Sequence, residues 1–213
     1  MPQPPRIRRA DVVETAIEVL NERGLDGVSL RVIADRLGVR QPALYHHFAS
    51  KAALLDEVVE AILSRHHTAR LPEPDEDWRS FLLRNASSLR SAMLSVRDGA
   101  RLISSSGGRV PSLGNALAQV AVLERGGFEP DAAILALIAV SRYTIGAALE
   151  EQAAADARPM TVALDGADET VLRFAAALSR VNEAGSAHEF ECGLRALVRG
   201  LEDARTMAKD EPA

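Results

Sequence analysis

Residues 40–51 place Arg40, Gln41, Ala43, His46, His47 and Lys51 within twelve residues of sequence. The planar groups of Arg, Gln and His suit base edges in a major groove, and Lys suits a phosphate oxygen. A helix beginning near Arg40 turns the first five of these to its outer face. A merely solvated polar face has the same composition, so a second signal is needed. Lys51 supplies one. It stands in the first turn of the next helix, where a cation opposes the macrodipole. A phosphate at that helix N-terminus accounts for the placement.

Other chemistries fit poorly. His46–His47 and His66–His67 are adjacent pairs, whose side chains point about 100° apart on a helix; a helical chelate wants three- or four-residue spacing. No metal centre and no cofactor is expected. A hydrolase needs a nucleophile beside a base. Ser104, Ser105 and Ser106 have no histidine nearby in sequence, and no Gly-x-Ser-x-Gly elbow occurs. The chain therefore reads as a binding protein and not an enzyme. Cys192 is the one cysteine. It excludes an internal disulfide and reads as a small buried core residue.

The elements that position these groups read as helices, because apolar residues recur at helical spacing and strand alternation is absent. The first helix covers 9–23, with Val13, Ala16, Ile17 and Leu20 on one stripe. Gly24 is placed to end it in the left-handed conformation. Ser29 is an N-cap candidate for a short helix reaching about Arg36, Gly38 makes a tight turn, and Pro42 is tolerated in the first turn of the next helix. This is the spacing of a helix-turn-helix. Ala34 is small where the helices cross, and Ile33, Leu37, Val39 and Leu44 anchor them. Ser50 caps a helix over 51–67. Residues 70–77 are polar, hold two prolines and read as a connection. Further helices are expected at 78–95, 98–103, 111–125, 131–154, 169–181 and 187–205, with loops at 104–110 and 156–166 and a frayed end at 209–213. The fold class is all-α.

Composition agrees. The chain has 213 residues, 47% apolar and 26% charged, with net charge −5. Residues 1–67 carry nine basic and nine acidic residues, so the deficit lies wholly in the remainder. Arg6, Arg8 and Arg9 precede the first acidic residue. A neutral small domain with a basic arm can bind phosphates when its cations share a face. The longest apolar run, 132–140, has nine residues, against about 18 for a membrane span. No membrane association is expected. A leader pattern is absent from the start, and a cytoplasmic location is expected.

The segment from Arg31 to Leu55, with Gln41-Pro42-Ala43-Leu44-Tyr45 and Lys51-Ala52-Ala53-Leu54-Leu55-Asp56, resembles the DNA-binding domain of the TetR family of repressors. His66-His67, Trp78-Arg79-Ser80-Phe81-Leu82, Arg97-Asp98-Gly99-Ala100, Gly127-Phe128 and the 141–152 segment extend the resemblance to its tetracycline-repressor class. The resemblance implies a homodimer, a palindromic double-stranded DNA operator, and repression relieved by a small-molecule effector. It implies a helix-turn-helix domain over 1–50, a connecting helix over 51–68, a ligand-binding and dimerisation domain over 69–206 and a flexible tail over 207–213. Arg31 reads a base from the supporting helix in this pattern. Gln41, Pro42, Ala43, Tyr45, His46 and His47 line the groove or its backbone in it, and Lys51 holds a phosphate. Ala43 and His46 stand where the class has Thr and Trp, which implies a different operator.

The effector residues implied are His67, Asn85, Leu89, Ile103, Ser106, Gln119, Arg142 and Glu150. In the class a histidine on the sixth helix holds a magnesium ion that enters with the drug. Here that position is Ile103, and an aliphatic side chain cannot ligate a metal. Gly107-Gly108 replaces an Arg-Pro of the class, Arg142 replaces a histidine and Leu89 a phenylalanine. A multi-ring or elongated organic molecule bound outside the magnesium–tetracycline mode is expected. His67 as a helix cap, and Asn85 and Gln119 as solvated side chains, are the alternatives. The helices over 131–154 and 187–205, the second with a Phe190, Leu194, Leu197 and Leu201 stripe, are expected to pair with twofold copies in a four-helix bundle. An autoregulator or activator of the same fold, taking a metabolite, is the other regulatory reading.

Overall fold

The computed structural model describes residues 7–105, 112–155 and 166–210. Among these, regular structure is helical without a strand. The elements are α1 (Arg9–Gly27), α2 (Leu30–Arg36), α3 (Pro42–Tyr45), α4 (Lys51–His66), α5 (Trp78–Leu94), α6 (Gly99–Ser105), α7 (Leu113–Arg125), α8 (Pro130–Ala155) and α9 (Glu169–Asp210). The expected loops at 104–110 and 156–166 fall mostly outside the described residues. Ser104 and Ser105 themselves continue α6, and α9 reaches Asp210, two residues into the stretch expected to fray.

Two glycines break helices: Gly24, where a left-handed helix end is expected, and Gly185. Gly24 has φ 71° and ψ 176°, and Gly185 inside α9 has φ 81° and ψ 163°. Both combine positive φ with extended ψ, a region open essentially to glycine alone, and not the left-handed helical turn. The break at Gly24 frees the Leu25 amide to point out of α1. The break at Gly185 divides α9 into the two helical stretches that the spacing predicts.

One apolar core runs from the first helix into the second half of the chain. Val12, Ala16, Val19 and Leu20 of α1 meet Ile33 of α2, Leu44 of α3, Phe48, and Leu54, Val58 and Ile62 of α4. The same cluster continues through Met93, Val96, Ala100, Leu102 and Ile103 to Ala148 of α8. A second cluster gathers Trp78, Phe81 and Leu82 of α5, Val122 and Leu123 of α7, Ala133, Ala136 and Val140 of α8, and Phe190, Leu194 and Val198 of α9. Trp78 packs edge-on to Phe128, 4.8 Å between centroids. Helix α8 touches α5, α6, α7 and α9.

Two expectations change here. Cys192 is exposed, because it lies on the side of α9 opposite Phe190 and Leu194. Phe190 and Leu194, expected to meet a twofold copy, are buried inside their own chain against α5 and α8. Helix α8 buries one face within the chain. Ala133, Ala136, Val140, Thr144 and Ala148 are buried, while Ile134, Leu135 and Ile138 are exposed, Leu135 at 64%. At 26 residues with a mean hydropathy of 1.8 in its most apolar window, α8 has the length and composition of a membrane span. Its packing against four helices and the Arg142 at its middle are those of a bundle helix.

Candidate DNA-reading surface and effector site

Helix α2 begins at Ser29, whose hydroxyl accepts from the Val32 amide at 3.2 Å. It ends in a turn where the Gly38 and Val39 amides donate to the Asp35 and Ala34 carbonyls at 3.2 and 3.0 Å. Gly38 has φ 68°, and a Cβ there meets nothing within 4 Å. Its glycine answers a backbone need and not a packing one. Ala34 is 1% exposed, as the close crossing requires. Helix α3 is a single turn, shorter than the spacing predicts, and Leu44 is its only buried residue. Phe48, just beyond, is a second anchor that sequence reasoning missed.

What faces outward matches the expected reading set. Arg31, Arg40, Pro42, Tyr45 and His46 are exposed, and Gln41, Ala43 and His47 are half-buried at the same surface. The Gln41 amide lies 3.4 Å from the Tyr45 hydroxyl, and Arg31 lies 4.0 Å from Asp35. Such contacts at the surface are weak. Lys51 is exposed at the start of α4, whose N-cap Ser50 accepts from Ala53 at 3.1 Å.

Helix α4 connects this surface to the rest of the chain. Around it, α1 is pinned to the turn between α5 and α6. Asp98, with φ 55°, accepts from the Leu25 amide at 2.7 Å. The Arg97 amide donates to Asn21 Oδ1 at 3.0 Å, and Arg101 makes a two-pronged ion pair with Asp26 at 2.9 Å. From the other side Gln152 of α8 accepts from the Ala100 amide at 2.9 Å and donates to the Val96 carbonyl at 2.9 Å. Arg65 of α4 pairs with Glu14 of α1. None of these pairings leaves a local sequence signal, since the partners lie 51 to 76 residues apart.

At the far end of α4, three residues of the expected effector set converge on one short stretch of backbone. His67 caps α4, its amide donating to Leu63. Its Nδ1 lies 3.0 Å from Ser88 Oγ, which also accepts from the Ala69 amide at 3.1 Å. With that oxygen already accepting, the hydroxyl hydrogen can go to Nδ1, leaving the imidazole proton on Nε2. Asn85 Nδ2 donates to the Ala69 carbonyl and Gln119 Nε2 to the Arg70 carbonyl, each at 2.8 Å. Arg84 Nη2 donates to the Leu71 carbonyl at 3.0 Å. Asn85 and Gln119 are therefore neither solvated nor open; they staple the segment that follows α4.

The remaining expected residues are dispersed. Leu89 is half-buried beside the first core cluster, and Ile103 is 1% exposed within it. Arg142 and Glu150 are exposed on α8. Ser106 lies outside the described residues. The Ser104 and Ser105 hydroxyls donate to the Arg101 and Leu102 carbonyls of their own helix. Among the described residues no cluster of three or more His, Cys, Asp or Glu side chains could hold a metal ion.

Burial, and secondly the nearby Arg70 cation, push the His67 pKa down to about 4. The unfolded chain then takes up a proton near pH 6.5 that the folded chain refuses until about pH 4. Stability from this residue is complete above pH 6.5 and is lost as the pH falls toward 4. Partial exposure holds the loss to about 1–2 kcal/mol. Urea unfolding at pH 7 and pH 5 should show it, and His67→Phe should abolish most of the difference. Glu14, Asp26 and Glu76, held below the ordinary carboxylate range by hydrogen bonds from Arg65, Arg101 and Arg84, act only at lower pH.

Residues 12–58 match the model of bacterial regulatory proteins of the tetR family. Residues 71–205, more than half the chain, match the tetracyclin repressor-like C-terminal domain. The chain belongs to the TetR family. The class C tetracycline repressor protein of Escherichia coli is 42% identical over 208 residues, covering 96% of this chain and 95% of the relative. The crystal structure of TetR from Acinetobacter baumannii AYE superposes with a TM-score of 0.79 at 41% identity, covering 94% of this chain and 99% of that one. A class A TetR in complex with 5a,6-anhydrotetracycline and magnesium gives a TM-score of 0.71 at 39% identity, covering 90% and 96%. As a TetR-family member the chain is a DNA-binding transcriptional repressor with an effector-binding helical domain.

Proposed function

We propose that this TetR-family repressor acts as a homodimer on a palindromic operator and is released by an oxygen-rich, multi-ring or elongated organic effector without a magnesium ion. The observation that carries the effector part is Ile103. It fills, buried and aliphatic, the position whose histidine holds the metal in the tetracycline-repressor class. Residues 1–50 form the DNA-binding unit, 51–68 the connecting helix, 69–206 the effector and dimerisation unit, and 207–213 the tail. A DNA target places the protein in the cytoplasm, and its activity is binding and not turnover.

Two recognition helices on a twofold dimer stand about 34–36 Å apart, one in each of two successive major grooves. Arg31, Arg40 and Gln41 read bases, and Pro42, Ala43, Tyr45, His46 and His47 line the groove. Lys51 holds a phosphate. Ile134, Leu135 and Ile138 of α8 and Phe174 and Leu178 of α9 are exposed apolar residues that a partner would cover. Arg142 and Glu150 project from the same helix α8, so a partner there would close over them.

Induction follows from the stapled segment. The Ala69 and Arg70 carbonyls occupy the Asn85 and Gln119 donors that an effector would use. An effector with suitably spaced acceptor oxygens displaces them, frees the backbone after His67 and lets the end of α4 move. Lys51, at the other end of α4, and α3 ahead of it then lose their spacing. A coupling of about 3 kcal/mol changes operator affinity roughly 150-fold.

The test begins by selecting an operator from random duplex DNA with the full-length protein. A palindrome is expected, and a strictly monomeric protein on a single half-site contradicts the reading. Arg31→Ala and Gln41→Ala should each cost about 1–3 kcal/mol on that operator and relax base preference. Release is then measured with anhydrotetracycline and minocycline, with magnesium and with a chelator. Release that needs magnesium overturns the role given to Ile103.

A further inference from the structure

We propose that Arg9, at the start of α1, is the positioning residue that fixes the recognition helix for base reading. The need for such a residue follows from α3 itself. A single helical turn lies below the length at which a helix sustains itself in water. Its buried anchors are Leu44 and, just beyond it, Phe48, and apolar contacts do not specify rotation or tilt to the tolerance that base hydrogen bonds require. At its C-terminal end the Leu44 carbonyl accepts from the His47 and Phe48 amides at 2.9 Å, so the chain past α3 stays helical to Phe48 and its next carbonyls need a partner from outside.

Arg9 meets both needs at once. Its Nη1 donates to the His47 carbonyl, just past the end of α3. Its Nη2 pairs with Glu57 Oε1 of α4 at 2.9 Å. Its guanidinium carbon lies 4.2 Å from the centroid of the Phe48 ring, the second anchor. One planar group thus ties α1, the end of α3 and α4 together, at sequence separations of 38 and 48 residues. The planarity matters: a guanidinium can donate along two directions while stacking on a ring, and an ammonium cannot do all three. The Arg9 side chain is about half exposed, so a phosphate contact is the competing role, and the experiment separates the two.

Arg9→Lys keeps the charge and loses the fork; Arg9→Ala loses both; Glu57→Gln loosens the fork from the other side without touching Arg9. Full-length variants are titrated against the selected operator and a scrambled duplex, from about 50 to 200 mM salt. Arg9→Lys is expected to bind the operator about tenfold more weakly, with its scrambled-DNA affinity and salt slope as in the wild type. Glu57→Gln should move the same way by a smaller factor. Amide exchange across 43–48 should speed up in both variants. If Arg9→Lys binds like the wild type while Arg9→Ala lowers the salt slope by about one, Arg9 is a phosphate contact and the proposal fails. It also fails if Arg9→Lys loses operator and scrambled duplex equally, or if Glu57→Gln loosens 43–48 and leaves operator affinity unchanged.

Discussion

Leu44→Ala is expected to abolish operator binding and to lower folding stability by about 2–5 kcal/mol. Leu44 is fully buried and is the sole buried residue of α3. Its side chain joins Ile33, Phe48 and Leu54 in the first core cluster, so truncation removes apolar contact and opens a cavity among residues from three helices. A one-turn helix has nothing else inside it to compensate. Thermal unfolding checks the stability loss. Amide exchange across 42–48 locates it, and a mobility shift on the selected operator checks function. Effector binding at the opposite end of α4 should survive at temperatures where the variant stays folded. An undisturbed operator affinity would remove Leu44 as the anchor of the reading surface.

The second large effect is expected at Asp98. Its carboxylate accepts from the Leu25 amide at 2.7 Å, across the junction between α1 and the α5–α6 turn. Bonds to an ionised acceptor contribute about 1.5–3 kcal/mol, and Asp98→Ala leaves the Leu25 donor without its partner. The same change puts alanine at φ 55°, where aspartate is better tolerated. Asp98→Gly separates the two causes, since it relieves the backbone and still loses the bond. Asp98→Ala should therefore be the less stable of the two by about 1 kcal/mol. Gly24→Ala attacks the junction from the other side: its Cβ would fall 2.7 Å from Asp98 Oδ2, at φ 71°. Both changes should let α1 move independently of α6 and so reduce the effector's leverage on the operator. Fluorescence-detected unfolding, with exchange at the Leu25 amide, checks the first part. Effector titration of a preformed operator complex checks the second.

Much of this molecule was legible because the relevant signals are local. Ser29 and Ser50 cap the helices they precede, and Gly24 carries the positive φ that interrupts its helix. Ala34 and Gly38 mark the crossing and turn of the helix-turn-helix. Each depends on residues within a few positions, where backbone hydrogen bonding and side-chain size act directly. The exposure of Cys192 and the inward stripe of Phe190 and Leu194 were misread because periodicity shows that a face is apolar and not what covers it.

The sequence by itself determined the helical architecture, and it supplied the residues on which the proposed reading surface at α3 and the proposed role of Ile103 rest. Those follow from residue type, spacing and matched position. Only the tertiary structure decided that Arg9 clamps the far end of α3, that Asp98 pins α1 to α6, and that Asn85 and Gln119 hold the backbone after α4. Each of those contacts joins residues 16 to 73 positions apart. Such pairs meet only after the core has closed, so their energies leave no trace in the order of neighbouring residues.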